Sequence, residues 1–95
     1  MFAIKGKLTN LTKCKSRVGG HFYRIVLCKE HKEKKFETVM EFFSFYGSVN
    51  DKFDNAEITS NDIIELTFYI KGVVAENQIK NNLMVRNITL IKKGK

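Results

Sequence analysis

The sequence predicts a mainly β protein: one all-β domain spanning residues 1–95, built as a five-stranded Greek-key barrel with one short helix between the third and fourth strands. Three observations point there. Apolar residues recur with period two in five stretches, the signature of half-buried strands. A single stretch changes to a helical period. The chain has 95 residues, enough to close one core and too few for two.

The first strand is "MFAIKGKLTNLT", where Phe2, Ile4, Gly6 and Leu8 alternate with Ala3, Lys5, Lys7 and Thr9. Gly6 weakens a strand interior unless the chain must bend there, as at a barrel corner. The basic stretch "KCKSRVGG" reads as a loop closed by Gly19 and Gly20. "HFYRIVLCKE" follows as a second strand rich in β-branched and aromatic residues, and "KEHKEKK" connects it to the third as a charged hairpin.

The third strand, "FETVMEFFSFY", stops at Gly47 and crowds Phe42, Phe43, Phe45 and Tyr46 into five positions. Alternation puts Phe43 and Phe45 on one face and Phe42 and Tyr46 on the other, so only one set can be core. From Ser48 to Ile58 the period changes. Ser48 can cap a helix with Asp51 at its third position, and Val49, Phe53 and Ala56 form one stripe. After "TSND", Ile64, Leu66, Phe68 and Ile70 alternate with Glu65, Thr67, Tyr69 and Lys71 in a fourth strand. A polar loop, "AENQIKNN", leads to a fifth, "LMVRNITLIKK", with Met84, Ile88 and Leu90 expected in the core.

The net charge of +7 is concentrated at one end. Residues 1–35 hold ten Lys/Arg against two acids, a balance of +8, whereas the remainder holds seven bases and eight acids. A localised basic surface steers polyanions and releases their counterions, which makes nucleic acid the leading partner class. No apolar run approaches a membrane span and no secretory leader is evident, so a cytoplasmic protein without a membrane partner is expected.

Cys14, His21, Cys28 and His31 invite a zinc reading, but along one strand His21 and Cys28 stand about 23 Å apart at roughly 3.3 Å per residue. They cannot share an ion, so no metal site is expected. Cys28 reads instead as a small buried side chain and Cys14 as a loop thiol. No paired carboxylates share a predicted face, no nucleophile has a base nearby, and "VGG" does not open a phosphate-cradling helix. Neither catalysis nor a cofactor is expected.

Strand, strand, strand, helix, strand, strand is the connectivity of the oligonucleotide/oligosaccharide-binding (OB) fold. An SH3-like barrel does not need the helix, and a ferredoxin-like fold needs a second one. With "IKGKL" in the opening strand, "FSFYG" entering the helix, "NDIIELTFYIKG" as the fourth strand and "NNLMVRNITLI" as the last, the chain resembles small prokaryotic and phage single-OB-domain proteins of the single-stranded DNA-binding type. That resemblance implies non-catalytic binding of single-stranded DNA across the outer face of strands two and three and the adjoining loops. Bacterial members of that type typically end in an acidic tail that recruits replication and repair partners. This chain ends "IKKGK".

Single-strand binding combines cations for phosphates with rings on which bases stack. If Phe43 and Phe45 fill the barrel, Phe42 and Tyr46 face outward, beside Phe22 or Tyr23 and Arg24; for Phe42 the alternative is burial. Tyr23, Tyr46 and Tyr69 tolerate both water and a base. Lys5 and Lys7 on the first strand, Lys13, Lys15 and Arg17 in the first loop, and Lys71 beside Tyr69 are the expected phosphate contacts. The expected partner is single-stranded DNA, with RNA as a further possibility, engaged by a homodimer or a cooperative array. The competing reading is an OB module that docks another protein through the same face.

Overall fold

The structure is a computed structural model that describes residues 1–29 and 38–94. Five strands, β1 (Phe2–Lys15), β2 (His21–Lys29), β3 (Thr38–Ser44), β4 (Ile63–Ala75) and β5 (Gln78–Lys92), surround a core, and helix α1 (Gly47–Asp54) lies between β3 and β4. They close into a barrel in the order β1-β2-β3-β5-β4. This is the expected OB architecture. Apart from Lys29, the charged connection expected at residues 29–35 lies outside the described residues, as do His31 and Phe36.

Closure depends on β1, which pairs with β4 over Phe2–Lys7 and with β2 over Lys7–Lys15. The change of partner occurs at Lys7, next to Gly6, where an added Cβ would stand 2.7 Å from the Cys28 carbonyl oxygen. Only glycine lets the two backbones approach so closely. A bulge between Leu8 and Asn10 then resets the alternation, so Leu8 and Leu11 both turn inward. The core unites Leu8, Tyr23, Ile25, Leu27, Phe42, Ile64, Leu66, Phe68, Val85 and Ile88 from the strands with Val49, Phe53 and Ile58 from the helix and the segment after it.

The faces of β3 are the reverse of those expected. Tyr23 pairs with Ser44, Ile25 with Phe42 and Leu27 with Met40, and cross-strand partners share a face. The inward run of β2 therefore carries Phe42 and Ser44 into the barrel, both 0% exposed, and leaves Phe43 and Phe45 outside. Buried Ser44 donates its hydroxyl to Asn50 Oδ1 at 2.7 Å on α1. Similarly, Met84 faces outward, because Arg86 is an extra residue between the pairs Phe68–Val85 and Thr67–Asn87, whereas Leu90 keeps the face of its partner Ile64 and is partly exposed near the end of the strand. Val85 and Ile88 take the core positions.

Both expected loops are shorter than their composition suggested. The first shrinks to the turn at residues 16–20, with Gly19 and Gly20 at φ 97° and 73°, so Lys13, Cys14 and Lys15 belong to β1. The second shrinks to Glu76 and Asn77, both at positive φ (51° and 64°), which joins β4 and β5 as a tight hairpin. The helix is also shorter. Tyr46, not Ser48, is its N-cap, and Ala56 lies past its end at φ 55°.

The start of β4 is fastened to the C-terminal segment by Asp62. Its fully buried carboxylate accepts hydrogen bonds from the Thr59 and Gly94 backbone N–H groups (2.9 and 2.8 Å) and from Lys93 Nζ (2.7 Å). Burial works to raise the pKa, but these donors outweigh it and hold the carboxyl below its ordinary value. Among the described residues no helix is long and apolar enough to cross a membrane.

Candidate nucleic-acid interface

With Phe42 inside, the outward residues of β2 and β3, joined by Phe45 just after β3, form a run of rings. Phe22 and Phe45 stack with centroids 4.6 Å apart and planes 18° from parallel, and Phe43 lies 6.4 Å from Phe22. Parallel pairing of Phe43 with Met84 brings in β5, and the pairs Tyr69–Met84 and Lys71–Asn82 extend the same surface along the β4–β5 hairpin. The result is an open groove of about 260 Å³ lined by Phe22, Phe43, Phe45, Lys71, Val73, Asn82 and Met84. Among the described residues Phe45 is 54% exposed, a costly placement for a large apolar ring.

The groove offers flat π surface, a soft thioether, one ammonium and one amide. Bases stack on such rings whatever their identity, because every base has a π face. The hydrogen-bonding groups are few, which suits a ligand held by its faces more than by its edges.

Charge is arranged around the rings. Lys71 lines the groove itself. Arg24 is the cross-strand partner of Phe43, and its Nε donates to Glu41 Oε2 in an exposed ion pair. Cys14 pairs with Phe22, and beside it a second hollow of about 300 Å³ is lined by Lys13, Cys14, Lys15, Gly20 and His21. Exposed Arg17 stands in the adjoining turn. Lys15 pairs with His21 and so emerges on the other face of the hairpin from Phe22, Arg17 stands in the turn beyond it, and Lys71 lies in the groove.

Lys5 and Lys7 are placed elsewhere. Lys5 pairs with Glu65, six strand residues from Lys71 and therefore about 20 Å away at roughly 3.3 Å per residue. Lys7 sits with it over Cys28 and Ile63.

Of the expected stacking residues, two are core. Phe42 meets Phe68 edge to face at 5.1 Å, and Tyr23 packs on Phe53 at 4.9 Å. The Tyr23 hydroxyl donates to Asp54 Oδ1 at 2.5 Å, and burial followed by that carboxylate pushes its pKa up to about 12. Asp54 also meets His21 Nε2 at 2.8 Å and Lys13 Nζ at 3.6 Å. The Tyr23 hydrogen bond, helped by His21 and Lys13 against the effect of burial, holds the Asp54 carboxyl below its ordinary value. This cluster ties the end of α1 to the β1–β2 hairpin. Tyr46 is half-buried at the helix start, with the Arg86 guanidinium 4.5 Å above its ring. Tyr69 is half-buried on the groove side of β4.

Sequence reasoning missed Phe43, Phe45, Val73, Asn82 and Met84. The available signal was charge: Glu41 on β3 and Arg24 on β2 must face water, and alternation then sends Phe43, Phe45 and Phe22 outward with them.

No protein-family profile and no curated protein matches the chain in sequence. Solved structures do match in fold. The crystal structure of the mitochondrial single-stranded DNA binding protein Rim1 from S. cerevisiae superposes with a TM-score of 0.80 at 14% identity, covering 99% of this chain and 95% of that one. A second crystal form gives 0.78 at 14% identity, covering 98% and 96%. The N-terminal domain of PriB from Thermoanaerobacter tencongensis, a dimeric structure, gives 0.70 at 12% identity, covering 97% and 96%. At these identities the likeness establishes a common fold over nearly the whole chain.

Proposed function

We propose that this protein binds single-stranded DNA without catalysis and with little sequence preference, laying the strand across the outward rings of β2 and β3 and against the β4–β5 hairpin. The observation that carries this reading is the groove of three adjacent phenylalanines, left open to solvent, with Lys71 inside it. Stacking provides about 1–3 kcal/mol per base, and Arg17 and Lys71 neutralise phosphates along the path. The fold shared with a mitochondrial single-stranded DNA binding protein supports the same reading.

Fluorescence anisotropy with labelled dT, rU and duplex oligomers at two salt concentrations tests it. Single strands should bind more tightly than duplex, and affinity should fall steeply with salt. Equal affinity for duplex and single strand, or binding indifferent to salt, refutes the proposal.

The functional unit in this proposal is a dimer or a cooperative array. One OB domain covers only about 4–16 nucleotides, so neighbours on one strand raise occupancy through effective concentration. The Phe2–Gly6 half of β1, paired on one side with β4, is the edge through which a second copy would add. Light scattering of the free protein, followed by titration onto long and short dT strands, decides this. A strict monomer with the same per-site affinity on both lengths refutes both forms.

A further inference from the structure

The face that carries the groove also carries an acid, Glu41, where a polyanion would pass. Glu41 stands two residues before Phe43 on β3, so both side chains emerge on the same side, and its carboxylate engages Arg24, the cross-strand partner of Phe43. Both side chains of the pair are about two-fifths exposed, 40% for Arg24 and 43% for Glu41. An exposed ion pair contributes little to the stability of a fold, because water solvates either partner nearly as well. It does, however, fix where a guanidinium sits and what occupies it.

We infer that Glu41 is an internal competitor for Arg24, a stand-in for phosphate that a bound strand displaces. This rests on the single-strand reading above. In the free protein Glu41 neutralises Arg24 and holds it beside the rings. When a base stacks on Phe43, its backbone phosphate comes within reach of the same guanidinium and takes the place of the carboxylate, since planar guanidinium recognises either oxyanion. Glu41 is then left beside a phosphate, and the mutual repulsion lowers affinity. Arg24 accordingly contributes less than an unpaired arginine would. Glu41 keeps the ring surface from holding a strand too tightly to release it.

The test is a salt series of anisotropy titrations with a labelled dT oligomer on the wild-type protein, Glu41→Gln, Arg24→Gln and the double variant, with thermal melts as a check on folding. Glu41→Gln should bind about 3- to 10-fold more tightly. Its plot of log affinity against log salt should steepen by about 0.7, because the phosphate that Arg24 neutralises then releases its counterions with no freed carboxylate to take them up. Arg24→Gln should bind more weakly than wild type, because a phosphate contact is lost while the acid remains. The double variant should recover part of that loss. If wild type binds single strands but Glu41→Gln binds equally or less tightly at every salt concentration, Glu41 is not a competitor and the inference fails while the single-strand reading stands. If wild type binds no single strand at all, the underlying reading itself fails and takes the inference with it.

Discussion

The inner and outer walls of this barrel both carry phenylalanines, but the rings are packed differently. Inside, rings meet at steep angles: Phe42 on Phe68 at 71° and Tyr23 on Phe53 at 54°. Outside, Phe22 and Phe45 lie 18° from parallel, with Phe43 tilted 56° to Phe22 at a looser 6.4 Å. Edge-to-face packing fills a volume from all sides, as a core requires. Parallel rings standing in the open leave a π face unused. The same residue type thus serves as filler on one side of a strand and as platform on the other, and neighbouring positions of β3 belong to both.

The largest expected effect breaks the inner wall. Phe42→Ala removes a fully buried ring and should destabilise the fold by about 3–5 kcal/mol in a thermal or urea melt. Phe45→Ala, which removes a half-exposed ring, should cost less than about 1 kcal/mol. Should the two variants melt together, the difference between the walls is not energetic and the comparison collapses.

The outer wall is probed by affinity. Phe43→Ala and Phe45→Ala should each weaken single-strand binding by about 1–3 kcal/mol, roughly 5- to 150-fold in Kd, with melting close to wild type. Normal binding by both variants would mean that the strand lies elsewhere.

How much of this was legible beforehand differs between fold and site. Element order, the helix between β3 and β4, and the corner at Gly6 followed from periodicity and one glycine, because those signals are local. Which face of β3 is inward did not. Two phenylalanines flanking a serine read naturally as core, Phe43 and Phe45 around Ser44, and nothing local says that Ser44 is satisfied by Asn50 on a helix six residues later. The extra residue at Arg86 misled in the same way, since a bulge changes phase without a mark in composition. Cross-strand register decided both cases. It was readable only indirectly, through the outward demand of Arg24 and Glu41.

Asp62 tests whether the inner wall depends on apolar burial alone. Asp62→Asn keeps the shape but loses the charge that draws Lys93 and the two backbone donors, and should cost about 1–2 kcal/mol at neutral pH. A carboxyl held below its ordinary value in the folded state stabilises above its unfolded pKa, and that contribution disappears as pH falls through the folded one. Melts from pH 7 to pH 2 should therefore show the gap between wild type and variant closing toward acid. A gap that stays constant would assign the loss to shape.

The smallest effect concerns the one inner ring with a polar end. Tyr23→Phe leaves the packing on Phe53 intact and removes only the hydroxyl that donates to Asp54. Asp54 keeps His21 and Lys13, so the β1–β2 hairpin stays fastened to α1 and the melting temperature should fall by only about 3–6 °C. That hydroxyl is the leading cause of the lowered Asp54 pKa, so the loss should be present at neutral pH and shrink as Asp54 is protonated in acid. Single-strand affinity should not change. A buried ring has no face to offer a base, whereas a tyrosine on the outer wall, as first expected from the sequence, would hold its affinity only while its ring stayed. Tyr23→Leu separates the cases: it should lower stability further, by losing the ring contact, and still bind like wild type once folded. Binding that falls in step with removal of the ring would return Tyr23 to the outer wall.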